Sequence, residues 1–162
     1  MAVEAIPDAP AERVRSILER VIEALDVEAS IDVSESERQI TGTIDGEDVG
    51  RLIGRRGQTI DAVQFICYRA AQRGATDRKR VIVDAGGYRE RRREQLEDQA
   101  ERAFARATEA GKEIELEPMT PSERKVVHDF LAERPGIETF SEGDEPDRCV
   151  IVAPLVESSD DD

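Results

Sequence analysis

The feature that most constrains this chain is a pair of glycines bracketing two arginines, Gly54-Arg55-Arg56-Gly57. Apolar residues recur at spacings of three, four and seven over residues 60–70, so a helix is predicted to follow the second glycine. Glycines permit a tight turn whose bare backbone a ligand can approach closely. N–H groups at a helix start and two guanidinium groups both suit phosphate oxygens. The spacing therefore predicts a phosphate-binding turn between two helices.

Two other phosphate-binding loops do not fit this spacing. A Walker loop needs a glycine, four further residues and then Gly-Lys-Ser/Thr, but counting from Gly50 puts Arg55 where the second glycine belongs. The dinucleotide fingerprint Gly-x-Gly-x-x-Gly fails because Leu52 stands where its first glycine would be. The alternative that stays open is a tight interhelical turn that binds nothing.

Charge is distributed unevenly along the chain. The 162 residues carry a formal net charge of −14, yet residues 51–87 hold 8 Lys/Arg and 3 Asp/Glu. Residues 1–50 hold 4 basic and 13 acidic residues, and residues 113–162 hold 4 and 15. Since the local field steers a polyanion more than the net charge does, we expect nucleic acid to approach the positive block. The acidic ends fit solubility or a protein partner.

Composition argues against several functional classes. The sequence has no apolar run of transmembrane length, and residues 1–9, a predicted flexible tail, lack the segments of a secretory signal. Cys67 and Cys149 lie in apolar runs and are predicted to be buried thiols of a cytoplasmic protein. His128 is the only histidine, so we expect no metal site, no cofactor and no catalytic triad.

The first half of the chain has a regular order of predicted elements. It reads helix, hairpin of two strands, short helix, Gly-x-x-Gly turn, helix and strand, at 10–25, 29–33, 39–44, 47–53, 58–73 and 80–84. This order, with the turn at this place, resembles a type II KH domain, whose Gly-x-x-Gly loop clamps about four nucleotides.

The resemblance to KH domains implies an α+β fold and a set of RNA-binding residues. That set is Arg51, Ile53, Gly54, Arg55, Arg56, Gly57 and Gln58. Ile53 and Ile60 are the expected wall of an apolar groove for the bases.

The second half is predicted to contain a long helix at 88–110 with a strongly basic first turn, and then a small α/β arrangement. Thr120-Pro121-Ser122-Glu123 is a capping box that opens a helix running to about residue 134. The strands are expected at 113–117, 137–140 and 149–153. In the capped helix, Arg124 and His128 are four residues apart and share a face. A plain surface pair is the alternative to a binding site.

The segment Leu116 to His128, followed by Thr139-Phe140-Ser141-Glu142-Gly143, resembles the R-3-H domain, a single-stranded nucleic-acid-binding module named for this Arg and His. The two modules, joined by Asp84-x-x-x-Tyr88-Arg89-x-Arg91-Arg92, resemble the bacterial Jag family (KhpB, the SpoIIIJ-associated protein) over residues 10–154. Family members usually have a histidine where this chain has Phe140, so one polar contact is expected to be missing. Many begin with a further small domain, which we do not expect here.

The sequence thus predicts a KH type II domain at 10–86, an R-3-H domain at 87–155 and an acidic tail at 156–162. The resemblance implies a cytoplasmic, non-enzymatic protein that binds single-stranded RNA through the turn and through Arg124 and His128. It further implies a post-transcriptional regulator or RNA chaperone linked to cell elongation and division, with a small single-KH-domain (KhpA-like) partner. A protein-interaction scaffold with incidental RNA affinity is the first alternative, and a nuclease is the second. The RNA target and the oligomeric state stay open.

Overall fold

A computed structural model describes residues 8–155 of the chain, which separate into two compact units, Met1–Arg89 and Glu90–Asp162. The predicted tails at 1–9 and 156–162 fall almost wholly outside the described residues. The domain limits expected from the sequence, 10–86 and 87–155, remain predictions.

Over its described residues, from Asp8 onwards, the first unit contains three helices, a three-stranded sheet and one 3-10 turn at Arg55–Gly57. In chain order the regular elements are α1 (Pro10–Ala24), β1 (Ala29–Glu35), β2 (Gln39–Gly46), α2 (Gly50–Ile53), α3 (Gln58–Ala71) and β3 (Arg80–Ala85). β1 and β2 form an antiparallel hairpin, and β3 lies parallel to β2 on its other side. This is the element order predicted for a type II KH domain.

Helices α1 and α3 pack against the sheet because their apolar stripes meet its apolar face, and α2 packs against α3. Pro10 lies in the first turn of α1, where its missing N–H costs nothing, and Val14 and Leu18 are fully buried. In β2, every second residue from Ile40 to Ile44 is buried. Because β2 ends beside the end of β3 and leads directly into α2, the sheet places the Gly-x-x-Gly turn at this end of the unit.

The second unit combines two helices with a second three-stranded sheet. Its elements are α4 (Tyr88–Ala110), whose first two residues belong to the first unit, then β4 (Ile114–Glu115), α5 (Pro121–Leu131), β5 (Ile137–Glu142) and β6 (Cys149–Pro154). β6 is the central strand, antiparallel to both neighbours, and Cys149 to Ala153 are all buried. The core includes Leu96 and small alanines of α4 with Val127 and Leu131 of α5.

The helices predicted at 10–25 and 58–73 end one and two residues earlier in the structure, and three further elements are shortened for reasons that the sequence explains. The helix expected over 47–53 begins only at Gly50, after a turn. The strand expected over 113–117 pairs only at Ile114 and Glu115, although Leu116 still donates to the Val150 carbonyl, and Pro118 has no N–H with which to continue the ladder. α5 ends at Leu131 because the residue before Pro135 disfavours helical geometry.

Candidate nucleic-acid interface

The Gly-x-x-Gly turn is shaped by two glycines with left-handed backbone angles. Gly54 has a φ of 71° and Gly57 a φ of 76°. A Cβ on Gly57 would lie 2.6 Å from Cε1 of Tyr88, and a Cβ on Gly54 would overlap the hydroxyl of Thr59. Neither glycine accepts a side chain unless its neighbours move, so both the bend and the close packing require glycine.

The two arginines of the turn have different surroundings. Arg55 is exposed at the start of the 3-10 turn, whereas Arg56 is partly buried. Arg56 has a φ of 52° and a ψ of 32°, a left-handed conformation that is uncommon for residues other than glycine. The turn therefore exposes Arg55 to solvent and holds Arg56 in a constrained backbone conformation.

The remaining residues predicted for the KH site lie on the helices that flank the turn. Gln58, the first residue of α3, is exposed, and Arg51 of α2 is exposed with its Nη1 donating to the Leu25 carbonyl at 3.2 Å. Ile53 is partly buried and packs against the core. The prediction for Ile60 is wrong, because that side chain is fully buried in the core and cannot line an open groove.

The N-terminus of α3 faces the turn without a side-chain cap. Its N-cap residue is Gly57, which has no side chain to accept a hydrogen bond from the first-turn N–H groups. The positive end of a helix dipole and its N–H groups attract an anion. Asp61 also lies in the first turn of α3, and its carboxylate opposes such an anion.

A side-chain cluster that the sequence analysis missed joins α3 to the residues after β3. Arg89 donates from Nη1 to Oδ1 of Asp61 at 2.9 Å, from Nη2 to Oε1 of Gln64 at 3.1 Å and from Nε to the Val83 carbonyl at 2.8 Å. Gln64 Oε1 also accepts from the Val83 N–H at 2.9 Å, and the Arg89 N–H donates to Asp84. The Arg89 guanidinium thus binds the Asp61 carboxylate, the Gln64 side-chain carbonyl and the Val83 backbone carbonyl.

The available signal for this cluster was the motif Asp84-x-x-x-Tyr88-Arg89 together with Asp61 and Gln64, three apart on α3. A strongly basic first turn, such as that of α4, is typical of a solvated or an anion-facing surface. Instead, Arg92 pairs with Glu123 at 2.6 Å, and Arg93 pairs with Glu90 at 2.6 Å. These guanidinium groups are used within the protein.

In the second unit the capping box predicted at Thr120 is present, and its glutamate has an additional partner. The Thr120 N–H donates to Oε2 of Glu123 at 2.9 Å, and Nε of Arg92 donates to Oε1 of the same carboxylate at 2.6 Å. Only 7% of Glu123 is exposed. The carboxylate therefore fixes the start of α5 and joins it to α4.

Arg124 is almost completely buried, with 8% of its surface exposed. Its Nη1 donates to the Met119 carbonyl at 2.7 Å, and its Nη2 pairs with Oε1 of Glu145 at 2.6 Å. Glu145 belongs to the acidic loop between β5 and β6. The guanidinium predicted to bind nucleic acid is thus held by a carboxylate of its own unit.

His128 contacts two hydroxyl groups of β5. Its Nδ1 lies 2.8 Å from Oγ1 of Thr139, and its Nε2 lies 2.9 Å from Oγ of Ser141. Burial and, secondarily, the positive charge of Arg124 lower the pKa of His128, against a smaller opposing effect of Asp129. At neutral pH the imidazole is uncharged, so one ring nitrogen donates a hydrogen bond to one hydroxyl and the other nitrogen accepts one from the second hydroxyl.

The Ser141–His128 distance is that of a nucleophile and its base, but within the described part of the chain the carboxylate that completes a catalytic triad does not contact this histidine. The second imidazole nitrogen meets the hydroxyl of Thr139 rather than a carboxylate, so the charged group that orients a catalytic histidine is replaced by a neutral one. We interpret the trio as a structural polar bridge between α5 and β5.

Phe140 lies between Thr139 and Ser141 on β5, and 38% of it is exposed. Successive side chains of a strand point to opposite faces, so Phe140 points away from the face that His128 contacts. Among residues 8–155 no group of His, Cys, Asp and Glu is arranged to hold a metal ion. No helix within that range is apolar and long enough to span a membrane.

We predict that nuclear magnetic resonance titration gives His128 a pKa below about 6.5, the value of an unperturbed histidine. The assignment is direct because the chain has one histidine. A folded-state pKa below the unfolded one means that the unfolded chain binds the proton more readily. Stability should therefore fall as pH is lowered through about 6.5, and the fall should be smaller in His128→Asn. A titration midpoint at or above the ordinary value would contradict the buried neutral imidazole.

Comparison with known families gives two adjoining matches. The model of the KhpA/KhpB KH domain matches residues 11–84, and the model of the R-3-H domain matches residues 94–154. Together they cover both units and confirm the predicted α+β fold with a KH domain followed by an R-3-H domain.

Several curated proteins are similar over most of the chain. The RNA-binding protein KhpB of Clostridium symbiosum is 36% identical over 138 residues, covering 84% of this chain and 62% of that protein. The RNA-binding protein KhpB of Bacillus subtilis is 34% identical over 146 residues, covering 89% and 70%. The RNA-binding protein KhpB of Streptococcus pneumoniae is 32% identical over 142 residues, which cover 88% of this chain and 43% of that protein.

The matched region thus spans between 43% and 70% of the length of these three relatives. At these identities and coverages, and with both domain models in the expected order, the chain belongs to the Jag/KhpB family of proteins that join a KH domain to an R-3-H domain.

Proposed function

We propose that this chain binds single-stranded RNA, with the Gly54–Gly57 turn as the main contact. The observation that carries the proposal is the exposed guanidinium of Arg55 on a bare-backbone turn at the uncapped start of α3. The relatives' names, which describe them as RNA-binding proteins, support it.

In this mechanism a phosphate of the RNA backbone lies against the turn. The N–H groups at the start of α3 and the guanidinium groups of Arg55 and Arg56 hold its oxygens. Ile53 and Gln58 border the path of the bases, and Arg51 adds charge beside it. The chain has no tryptophan, two tyrosines and four phenylalanines, so base stacking contributes little and sequence preference is modest.

We propose that the R-3-H unit extends this contact along the strand. For Arg124 to meet a phosphate, the carboxylate of Glu145 must release it, and Glu145 is 52% exposed at its side chain, so it can move into solvent. For His128 to hydrogen-bond RNA it must exchange the hydroxyl of Thr139 or Ser141, and it would contribute no charge because its pKa is lowered. Binding in this unit is therefore an exchange of one anion for another.

The cellular role we propose is that of a cytoplasmic post-transcriptional regulator or RNA chaperone, linked to cell elongation and division, which binds without catalysis. A small single-KH-domain protein of the KhpA type is the proposed partner. The support is the family resemblance and the shared KhpA/KhpB domain model.

The alternative is a scaffold in which the KH fold serves protein interaction and RNA contact is incidental. One observation favours it: Phe65 and Ile66 on α3 are 62% and 52% exposed. With Ala62 and Arg69 they make one exposed face of that helix, named here the Phe65 face. Adjacent exposed large apolar side chains are typical of an interaction surface.

We predict that Arg55→Ala combined with Arg56→Asn removes most RNA binding. Asparagine is chosen because it tolerates the positive φ at that position. With three or four phosphates neutralised, the slope of log K against log salt should be about −2 to −3, flattening by about 0.7 per lost contact. Fluorescence anisotropy with a labelled single strand at several salt concentrations measures both quantities.

The matched control is Arg69→Ala, which removes one exposed arginine of the same unit away from the turn and should change the slope little. Aspartate at Gly54 and Gly57 is a less informative test, because those side chains would collide with Thr59 and Tyr88. If the arginine variant keeps its affinity and slope, the positive block is not the RNA site and the scaffold takes precedence.

We predict that Glu145→Gln strengthens binding to long single strands and leaves binding to tetranucleotides unchanged, since the KH cleft alone covers about four nucleotides. The reason is that the competing carboxylate on Arg124 loses its charge. Asp144→Asn makes the same charge change in the same loop and serves as control. An equal gain in both variants would indicate general electrostatics instead of competition at Arg124.

We predict that Phe65→Ser with Ile66→Ser lowers the affinity for the single-KH partner or for a second copy, and preserves RNA binding. Both side chains are exposed, so the change should not disturb the core. Sedimentation measures the association, and anisotropy measures the RNA. An unchanged association constant would contradict the Phe65 face as an interface.

A further inference from the structure

The start of α3 contains a conflict of charge that the proposed function has to resolve. The N-terminus of this helix would hold a phosphate, yet Asp61 places a carboxylate in the first turn. An aspartate near a helix start stabilises the helix itself. The same negative charge repels a phosphate bound one turn away, and at a surface water and salt weaken this repulsion without removing it at low ionic strength.

Arg89 removes this conflict by its position. Its Nη1 lies 2.9 Å from Oδ1 of Asp61, so a positive charge sits against the carboxylate. The guanidinium cannot easily turn away, because Nε is bound to the Val83 carbonyl at 2.8 Å and Nη2 to Gln64 at 3.1 Å. Three anchors on one planar group hold it in a single orientation.

We propose that Arg89 is a positioning residue for the anion site of the Gly54–Gly57 turn, acting by cancelling the charge of Asp61. The inference rests on the proposed RNA binding and names a group that does not itself touch RNA. It assigns a role beyond the matched KH segment, which ends at residue 84. The RNA-binding unit of this chain therefore extends into the first residues of α4.

A neighbouring contact supports the same extension. The ring of Tyr88 lies directly on Gly57, at the place where a side chain on that glycine would be. Tyr88 and Arg89 belong to the compact unit that contains the turn. Two consecutive residues thus act at the same end of the turn: the Tyr88 ring packs on Gly57, and the Arg89 guanidinium neutralises Asp61 in the helix that follows.

The test is a double-variant cycle in the full chain, with anisotropy of a labelled single-stranded RNA as readout. Arg89→Gln should weaken binding about threefold to tenfold at low salt, the effect of one unpaired charge near a surface. At about 1 M salt, where the Debye length is about 3 Å, the difference should disappear. Asp61→Asn in the Arg89→Gln background should restore binding to within about twofold of the natural chain, because no uncancelled charge remains.

The matched control is Lys79→Gln, which breaks a comparable ion pair with Glu35 in the same unit. That pair lies at the opposite end of the sheet, beside the start of β2, and should affect binding less than about twofold. Thermal melting of every variant reports any loss of folding separately. A merely structural Arg89 would not be rescued by Asp61→Asn, since the clamp on Val83 and Gln64 stays broken.

Two results would overturn the inference: failure of Asp61→Asn to restore binding, or an equal loss in Lys79→Gln. The first would mean that Arg89 contacts RNA directly or serves only the fold. Either result can occur while Arg55→Ala still weakens binding, and then the proposed function stands without this inference. If Arg55→Ala has no effect, the proposed function itself fails, whatever Arg89 does.

Discussion

Pairing between guanidinium and carboxylate groups holds several arginines of this strongly acidic chain in fixed positions. Arg89, Arg92 and Arg124 are each held by a carboxylate within hydrogen-bond distance. Arg55 is exposed on a turn between two helices. Since acidic side chains outnumber basic ones by 37 to 23, an arginine outside such pairs needs a location that carboxylates do not reach. Arg55, exposed at the start of the Gly-x-x-Gly turn, is the cation that our proposal assigns to RNA.

Because of this pairing, the free-energy cost of binding an anion differs between the two domains. At the turn, a phosphate meets a solvated guanidinium and bare N–H groups, so little has to be displaced. In the R-3-H domain a phosphate has to replace Glu145 on a guanidinium that is 8% exposed, and the released carboxylate remains nearby. Breaking a buried pair is expensive unless the new partner is at least as well placed. The KH domain is therefore the stronger site in our proposal, and the R-3-H domain is the more conditional one.

Sequence reasoning succeeded where a local pattern determines the structure. The apolar stripe of α1, the alternation in β2 and the capping box of α5 each depend on neighbours within a few residues. It failed for Ile60, although the spacing from Ile60 to Val63 and Cys67 already placed it on the buried face. Arg89–Asp61 and Arg124–Glu145 could not be predicted, because each joins residues more than 20 positions apart through flexible side chains. The Gly54–Gly57 turn was predicted from its own chemistry and the other site residues from the resemblance, and the roles of all of them remain proposals.

The engagement of Val83 has a consequence for assembly. β3 is an outer strand, so its outward backbone groups offer a template on which another chain could add a strand. At Val83 both groups are already occupied, the N–H by Gln64 and the carbonyl by Arg89. An incoming peptide would have to displace two side chains before its first ladder bond could form there. Extension of this sheet at the β3 edge, by a partner or by aggregation, is thereby disfavoured around Val83.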